Sequence, residues 1–345
     1  LWTPLIKGGG DEVIRIRDDN RGVILIALLW ILAILSIIAL SFAREAYVEV
    51  SAARNARDLA DAYYIARAGI ATTIHQLYQR MFLTQQNPAN AASATVDPID
   101  LGKVTGQFGD GEYEVNILDE SGKFNLNFVR EEELRALMAV IGIEPPDADV
   151  IVDSILDWRD ADQVPLANGA EDDYYQALVP PYQGRNGNGL IGSVEELLLI
   201  RGVTPEYYYG HREKAEDGTI VERYGLSRYF TAYSVSDRIN INSAPLQVLL
   251  SIQDMPPDAA RMICDLRKEK PFTNPLEINR EVVPNLGPTT LARFTTNWSG
   301  IFTLEATAHR TDSKVRRAIR AVVRLDPNEP DKYRILYWNE NVANW

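Results

Sequence analysis

The sequence predicts an α+β protein: a long N-terminal helix, transmembrane and then amphipathic, packed on an antiparallel sheet, with a large helical insert and a smaller helix-hairpin-helix-like insert. Three observations predict it. Val23 to Ala43 reads VILIALLWILAILSIIALSFA, 21 residues with no charge and no proline. About 20 such residues suffice to cross the hydrocarbon core of a bilayer. Period-two alternation marks strands early and late in the chain, and helical periodicity fills the stretches between them. A sheet packed on a helix with helices interposed is an α+β arrangement.

The elements follow in order. Residues 1–22 read as a leader and 23–43 as the transmembrane helix. From Arg44 the helix turns amphipathic over 44–84, with Leu59, Tyr63, Ala66, Ile70, Ile74, Leu77 and Met81 on one stripe. Steps of three and four mark one helical face. No proline falls between Gly22 and Pro88, so the rod runs from Val23 to about Met81, roughly 90 Å at 1.5 Å per residue. Residues 85–129 form the first part of the sheet. Within them, 84–107 reads as a loop, and Tyr113, Val115 and Ile117 alternate with Glu112, Glu114 and Asn116. Phe124 to Phe128 is expected to pair back across a turn at Glu120–Lys123.

Residues 130–228 read as a helical insert. Leu134, Leu137, Met138 and Ile141 share a face that Gly142 ends, and Pro145-Pro146-Asp147 opens a second helix. A polar loop spans Arg159 to Gly192. Ser193 and Glu196 have capping-box spacing before Leu197-Leu198-Leu199. Tyr207, Tyr208 and Tyr209 read as packing residues. A strand is expected over 229–241, a second helical insert over 242–295, and two terminal strands over 296–326, turning at Thr311–Lys314. The tail, 327–345, reads as poorly ordered.

Net charge is -13 over 345 residues. Phosphate binding needs a basic footprint, so no nucleic-acid partner is expected. The second insert sharpens the point. Its helix link, Asp254-Met-Pro-Pro-Asp258, lacks two N–H donors and carries two acids. Lys7, Arg15, Arg17 and Arg21 precede the span, which places the N-terminus in the cytoplasm and the head outside. The lone Cys264 forms no internal disulfide. His75, His211 and His309 lie far apart, and H-E-x-x-H, P-loop and G-x-S-x-G patterns are absent. The chain therefore reads as non-catalytic.

Six carboxylates fall within 17 residues: Asp157, Asp160, Asp162, Glu171, Asp172 and Asp173. Clustered acids repel unless they are exposed or bridged by a cation. Calcium takes six to eight oxygens in flexible geometry. Asp160, Asp162, Glu171 and Asp173 are the expected Ca²⁺ ligands, with Asp157 and Asp172 as second choices. An acidic surface loop without an ion is the alternative.

Gly22 directly before the long apolar helix resembles the prepilin leader of type IV pilins and type II secretion pseudopilins. DESGKFNLN, ILDWRDAD, NGAEDDYY and SVEELLLIRGVTPE look like the head of the type II secretion minor pseudopilin K family. The resemblance implies a pilin-like sheet with a calcium-binding helical insert. It implies prepilin-peptidase cleavage between Gly22 and Val23, with Val23 then methylated. Most subunits of that kind carry Glu at the fifth mature position, where this chain has Ala27. Without a subunit above it, a buried acid would lack its partner, so Ala27 suits a filament tip. The implied partners are the minor pseudopilins of the I, J and H types, the major pseudopilin, the prepilin peptidase and the inner membrane. The implied role is capping the pseudopilus and initiating its assembly during export of folded proteins. An adhesive tip subunit of a type IV pilus, or a membrane-anchored hydrolase using Asp160 or Glu171, is the alternative.

Overall fold

The computed structural model describes residues 20–83, 102–184, 190–214, 219–234, 236–284, 286–340 and 342. The chain divides into two compact units, Leu1–Asp58 and Leu59–Trp345. Residues 1–19 of the expected leader lie outside the described residues, as does most of the expected loop at 84–107.

Helix α1 runs unbroken from Asn20 to Tyr78. In the first unit its side chains are exposed from Ile24 through Val50, including Trp30 and Leu40. By length and composition it is able to cross a membrane.

The second unit holds a five-stranded antiparallel sheet. Its strands are β1 (Lys103–Phe108), β2 (Gly111–Asp119), β9 (Ile301–Arg310), β10 (Arg316–Leu325) and β11 (Tyr333–Asn339), in the order β1-β2-β9-β10-β11. Alternation places Val115, Leu304, Ala306, Ala321 and Val323 on one face. The α1 stripe packs against that face through Ile65, Ala66, Ile70, Ile74 and Leu77. Met81 and Tyr63 are half-buried beside it, whereas Leu59 is exposed. Gly69 permits the close approach, since a Cβ there would lie 2.7 Å from the Tyr113 ring.

Pairing of β2 with β9 brings Gly111 opposite Arg310 and Asp119 opposite Phe302. Everything between those strands must therefore leave the sheet and return. The intervening chain forms α2 (Glu131–Ile141), α3 (Asp147–Arg159), α4 (Asp172–Gln176) and α5 (Pro205–Tyr209). It continues as α6 (Leu246–Leu250), α7 (Pro257–Glu269), α8 (Glu277–Glu281) and α9 (Pro288–Leu291). Gly142 ends α2 in the left-handed conformation, φ 82°. Glu133 completes the α2 capping box by accepting from the Arg130 N–H at 3.1 Å.

Several sequence expectations need correction. The two inserts are not separate, because Leu137, Ile155, Phe230, Val248, Ile263 and Phe294 belong to one hydrophobic core. Phe124–Phe128 does not pair back on β2. Strand β3 (Phe124–Asn125) pairs in parallel with β6 (Phe230–Thr231), and β7 (Ile239–Asn240) pairs in parallel with β8 (Phe294–Thr295). Residues 229–241 thus add no strand to the main sheet. Within the first insert, β4 (Gly210–Lys214) and β5 (Ile220–Tyr224) form an antiparallel ladder. The capped segment Val194–Leu199 is a 3₁₀ helix, although its Ser193/Glu196 capping box is present.

The tail is also ordered over β11. A register shift between Val322 and Val323 places Val323 opposite Ile335 but Val322 opposite Tyr337. One extra residue on β11 breaks its alternation, so period two cannot be read there. The Tyr63 hydroxyl donates to Glu340 at 2.7 Å and ties the end of the strand to α1. Strand β1 occupies the end of the expected 84–107 loop; as an edge strand it carries little apolar alternation to announce it.

One buried ion pair joins the inserts. Arg293 Nε and Nη2 donate to the two Glu133 oxygens, each at 2.8 Å, and Nη1 donates to Asp237 at 2.6 Å. Both side chains are at most 4% exposed. Removing one partner strands the other's charge. Glu133→Ala or Arg293→Ala is expected to cost about 3–5 kcal/mol, read by urea denaturation. The paired replacement Glu133→Leu/Arg293→Met is expected to cost much less than the sum of the two single changes.

Candidate metal centre

The site is built on the C-terminal turn of α3 and the loop that returns to α4. An α-helix repeats every 3.6 residues, so Asp153 and Asp157 share a face. Both are buried. Asp153 is fully engaged: Arg135 Nη2 donates to it at 2.7 Å, and Asn168 donates through its backbone N–H at 3.1 Å and its Nδ2 at 3.0 Å. Asp157 receives the Leu166 N–H, at 3.1 and 3.2 Å from its two oxygens, and the Ala170 N–H. The loop passes very close here. A Cβ on Gly169 would sit 1.8 Å from Asp157 Oδ2, so any other residue here would push that carboxylate aside. Arg201 fixes the same turn by donating to the Gly169 carbonyl at 2.8 Å.

Asp160 caps α3, and Glu171 caps α4. Among the described residues, Asp157, Asp160 and Glu171 each offer an oxygen within 4.8 Å of the others. Arg159, the cation next in sequence, is committed elsewhere. Its Nη1 and Nη2 donate to the Leu126 and Val129 carbonyls, both at 2.7 Å. Trp158 closes the inner side, edge-on to Tyr175 with ring centroids 5.0 Å apart.

The electrostatic consequence is large. Glu171 is pushed up to about 7, first by burial and then by the charges of Asp157, Asp160, Asp162 and Asp172. Burial also raises Asp157 and Asp160. Glu171 Oε1 and Asp172 Oδ1 are buried without a hydrogen-bond partner. A buried acceptor facing other acids with no donor, as Glu171 Oε1 does, has the chemistry of a cation site.

Of the four ligands expected from sequence, the fold brings Asp160 and Glu171 together and adds the second-choice Asp157. Asp162 is exposed, and its Oδ1 accepts the Val164 N–H at 2.8 Å. Asp173 points outward on α4, while Asp172 is buried near the trio. Sequence spacing held the signal for Asp157, three residues before Asp160 on a helix that ends there. The other singled-out positions lie on α1: Gly22 and Val23 fall within the helix, and Ala27 is exposed on it.

A pH dependence follows. Glu171 titrates near 7 when folded, against an ordinary 4.5. The unfolded chain therefore loses this proton first, and stability falls as pH rises from about 4.5 to 7, then levels off. In chelator, melting followed against pH is expected to show that decline, and Glu171→Gln is expected to remove it.

Residues 111–211, which include the whole cluster, match the family model for type II secretion system (T2SS), protein K. The chain is 34% identical over 117 residues to type II secretion system protein K of Pectobacterium carotovorum subsp. carotovorum, covering 32% of this chain and 35% of that one. It is 26% identical over 270 residues to the protein K of Pseudomonas aeruginosa, covering 74% and 75%. The chain thus spans about a third of the first relative's length and three quarters of the second's. Its fold is like that of a chain from the GspK-GspI-GspJ complex of the enterotoxigenic Escherichia coli type 2 secretion system. The TM-score is 0.54 at 15% identity, covering 80% of this chain and 100% of that one. The matched segment gives one conclusion: over 111–211 this chain is similar to the protein K domain of type II secretion systems.

Proposed function

We propose that the chain is a non-catalytic minor pseudopilin that caps the tip of a type II secretion pseudopilus and initiates its assembly. The observation that carries this reading is the match to the protein K family model over 111–211, which takes in β2 and the first part of the insert between β2 and β9, on a sheet that packs on α1. The exposed apolar half of α1 would anchor the subunit in the inner membrane, N-terminus cytoplasmic, before assembly. Afterwards it would pack against partner helices. The related Escherichia coli chain was solved with GspI and GspJ, which supports the I and J types as partners. The H type, the major pseudopilin and the prepilin peptidase, cutting between Gly22 and Val23, complete the proposed set.

In this reading Asp157, Asp160 and Glu171 hold a Ca²⁺ ion, with Asp162 and Asp172 beside them. Carbonyl and water oxygens would complete its shell. The ion would supply the positive charge that the buried acids lack. Its role is structural, fixing the α3–α4 loop on the insert.

Two measurements check the proposal. Coexpression with I- and J-type pseudopilins is expected to give a complex that survives gel filtration in detergent. Recovery of the chain alone, or only with a major pilin, would count against the assignment. Calcium at a hundredfold excess over its Kd is expected to add about 2.7 kcal/mol of stability. Asp160→Asn and Glu171→Gln are expected to lose that gain, and Asp173→Asn to keep it.

A further inference from the structure

A second feature shares no residue with the acid cluster. On the sheet face away from α1, the insert roofs a half-open cleft of 530 Å³. Such a volume suits a small ligand or a side chain. The sheet supplies Thr303, Glu305, Arg320 and Tyr337, and the insert supplies Glu195, Tyr208 and Tyr233.

Most charges lining the interior are paired. Lys123 bridges to Glu120, which also accepts from Thr303 Oγ1 at 2.7 Å. Arg320 donates to Glu305 at 2.7 and 3.0 Å. Among the described residues Glu195 has no ion pair of its own, although the Tyr337 hydroxyl bonds to it and its charge reaches Arg320. Its Oε2 is buried without a hydrogen-bond partner, and so is the hydroxyl of Tyr208, whose residue is 1% exposed. A buried unpaired polar atom costs about 1–3 kcal/mol, and here two face one cleft. Burial and then the Glu195 charge raise the hydroxyls of Tyr208 and Tyr233, and push Tyr337 up to about 12. All three rings therefore stay neutral beside a carboxylate. A carboxylate with one oxygen still unpartnered, among aromatic rings, is the chemistry that holds an ammonium or guanidinium group.

We propose that this cleft receives a lysine or arginine side chain from a partner protein, with Glu195 and Tyr208 as its hydrogen-bonding groups. The outer wall carries exposed Arg223, Arg228 and His211, and Arg228 lies 4.1 Å over the Tyr224 ring. Two arginines, Arg223 and Arg228, stand on this rim, while His211 is held by Glu206 at 3.3 Å, so the segment that fits places an acidic residue beside the basic one.

The test uses the full chain in detergent micelles and calorimetric titration with N-acetyl-arginine amide. Saturable binding is expected, weakened about tenfold or more by Glu195→Gln. N-acetyl-glutamate amide is expected not to bind. Tyr208→Phe keeps the ring and drops only the unpaired hydroxyl. The unliganded variant is expected to melt no lower than the parent and to bind the arginine probe more weakly. If Glu195→Gln fails to fold, Tyr208→Phe decides the matter. Absence of saturable binding in the millimolar range, binding unchanged in the variants, or preference for the acidic probe would each overturn the assignment and leave a cleft that holds only water.

Discussion

The two inserts share one hydrophobic core, and a charge buried between them fixes how they meet. Residues Glu133 and Arg293 lie 160 positions apart, yet meet as a two-bonded fork in a core where a lone charge would be prohibitive. Glu133 also caps α2, so the fork fixes that helix at its start. Helix α3 packs on α2, and the acid-bearing loop departs from the end of α3. The position of the acid cluster thus traces back through two helices to one guanidinium. Hydrophobic contact alone would tolerate sliding; the fork has a single geometry.

The cluster itself inverts the usual logic of folding. Asp153 on the same helix face finds Arg135 and Asn168, but Asp157, Asp160 and Glu171 are brought together while Arg159, the cation next in sequence, donates to the Leu126 and Val129 carbonyls. A chain that places unmatched acids in a semi-buried loop sacrifices stability there. Gly169 shows how tightly the loop is drawn in, because any side chain would displace Asp157. The proposed cation would offset that loss and would tie the order of the loop to an ion as well as to packing.

The sheet shows a related division. Its inner face is a plain apolar layer against the α1 stripe, while its outer face carries the polar cleft under the insert. Alternation along β9 and β10 serves both faces at once: Leu304 and Ala321 turn inward, and Thr303, Glu305 and Arg320 turn outward. One strand pair therefore joins the helix on one side to the insert on the other.

The sequence by itself determined the elements whose stabilising pattern is local. The 21-residue apolar run, the amphipathic stripe, the alternation of β2, β9 and β10 and the Gly142 stop each follow from periods of 3.6 or 2 over contiguous residues. The acidic loop was legible as composition, and Asp160 and Glu171 as members of it. Tertiary structure alone decided which acids converge. Distance in the folded loop, not spacing in the chain, selects Asp157 over Asp173. It also decided that β3 and β7 pair in parallel with distant segments, that the two inserts share one core, and that the tail closes the sheet as β11. Those features rest on long-range pairing, and at β11 a bulge erased the alternation that would have announced it.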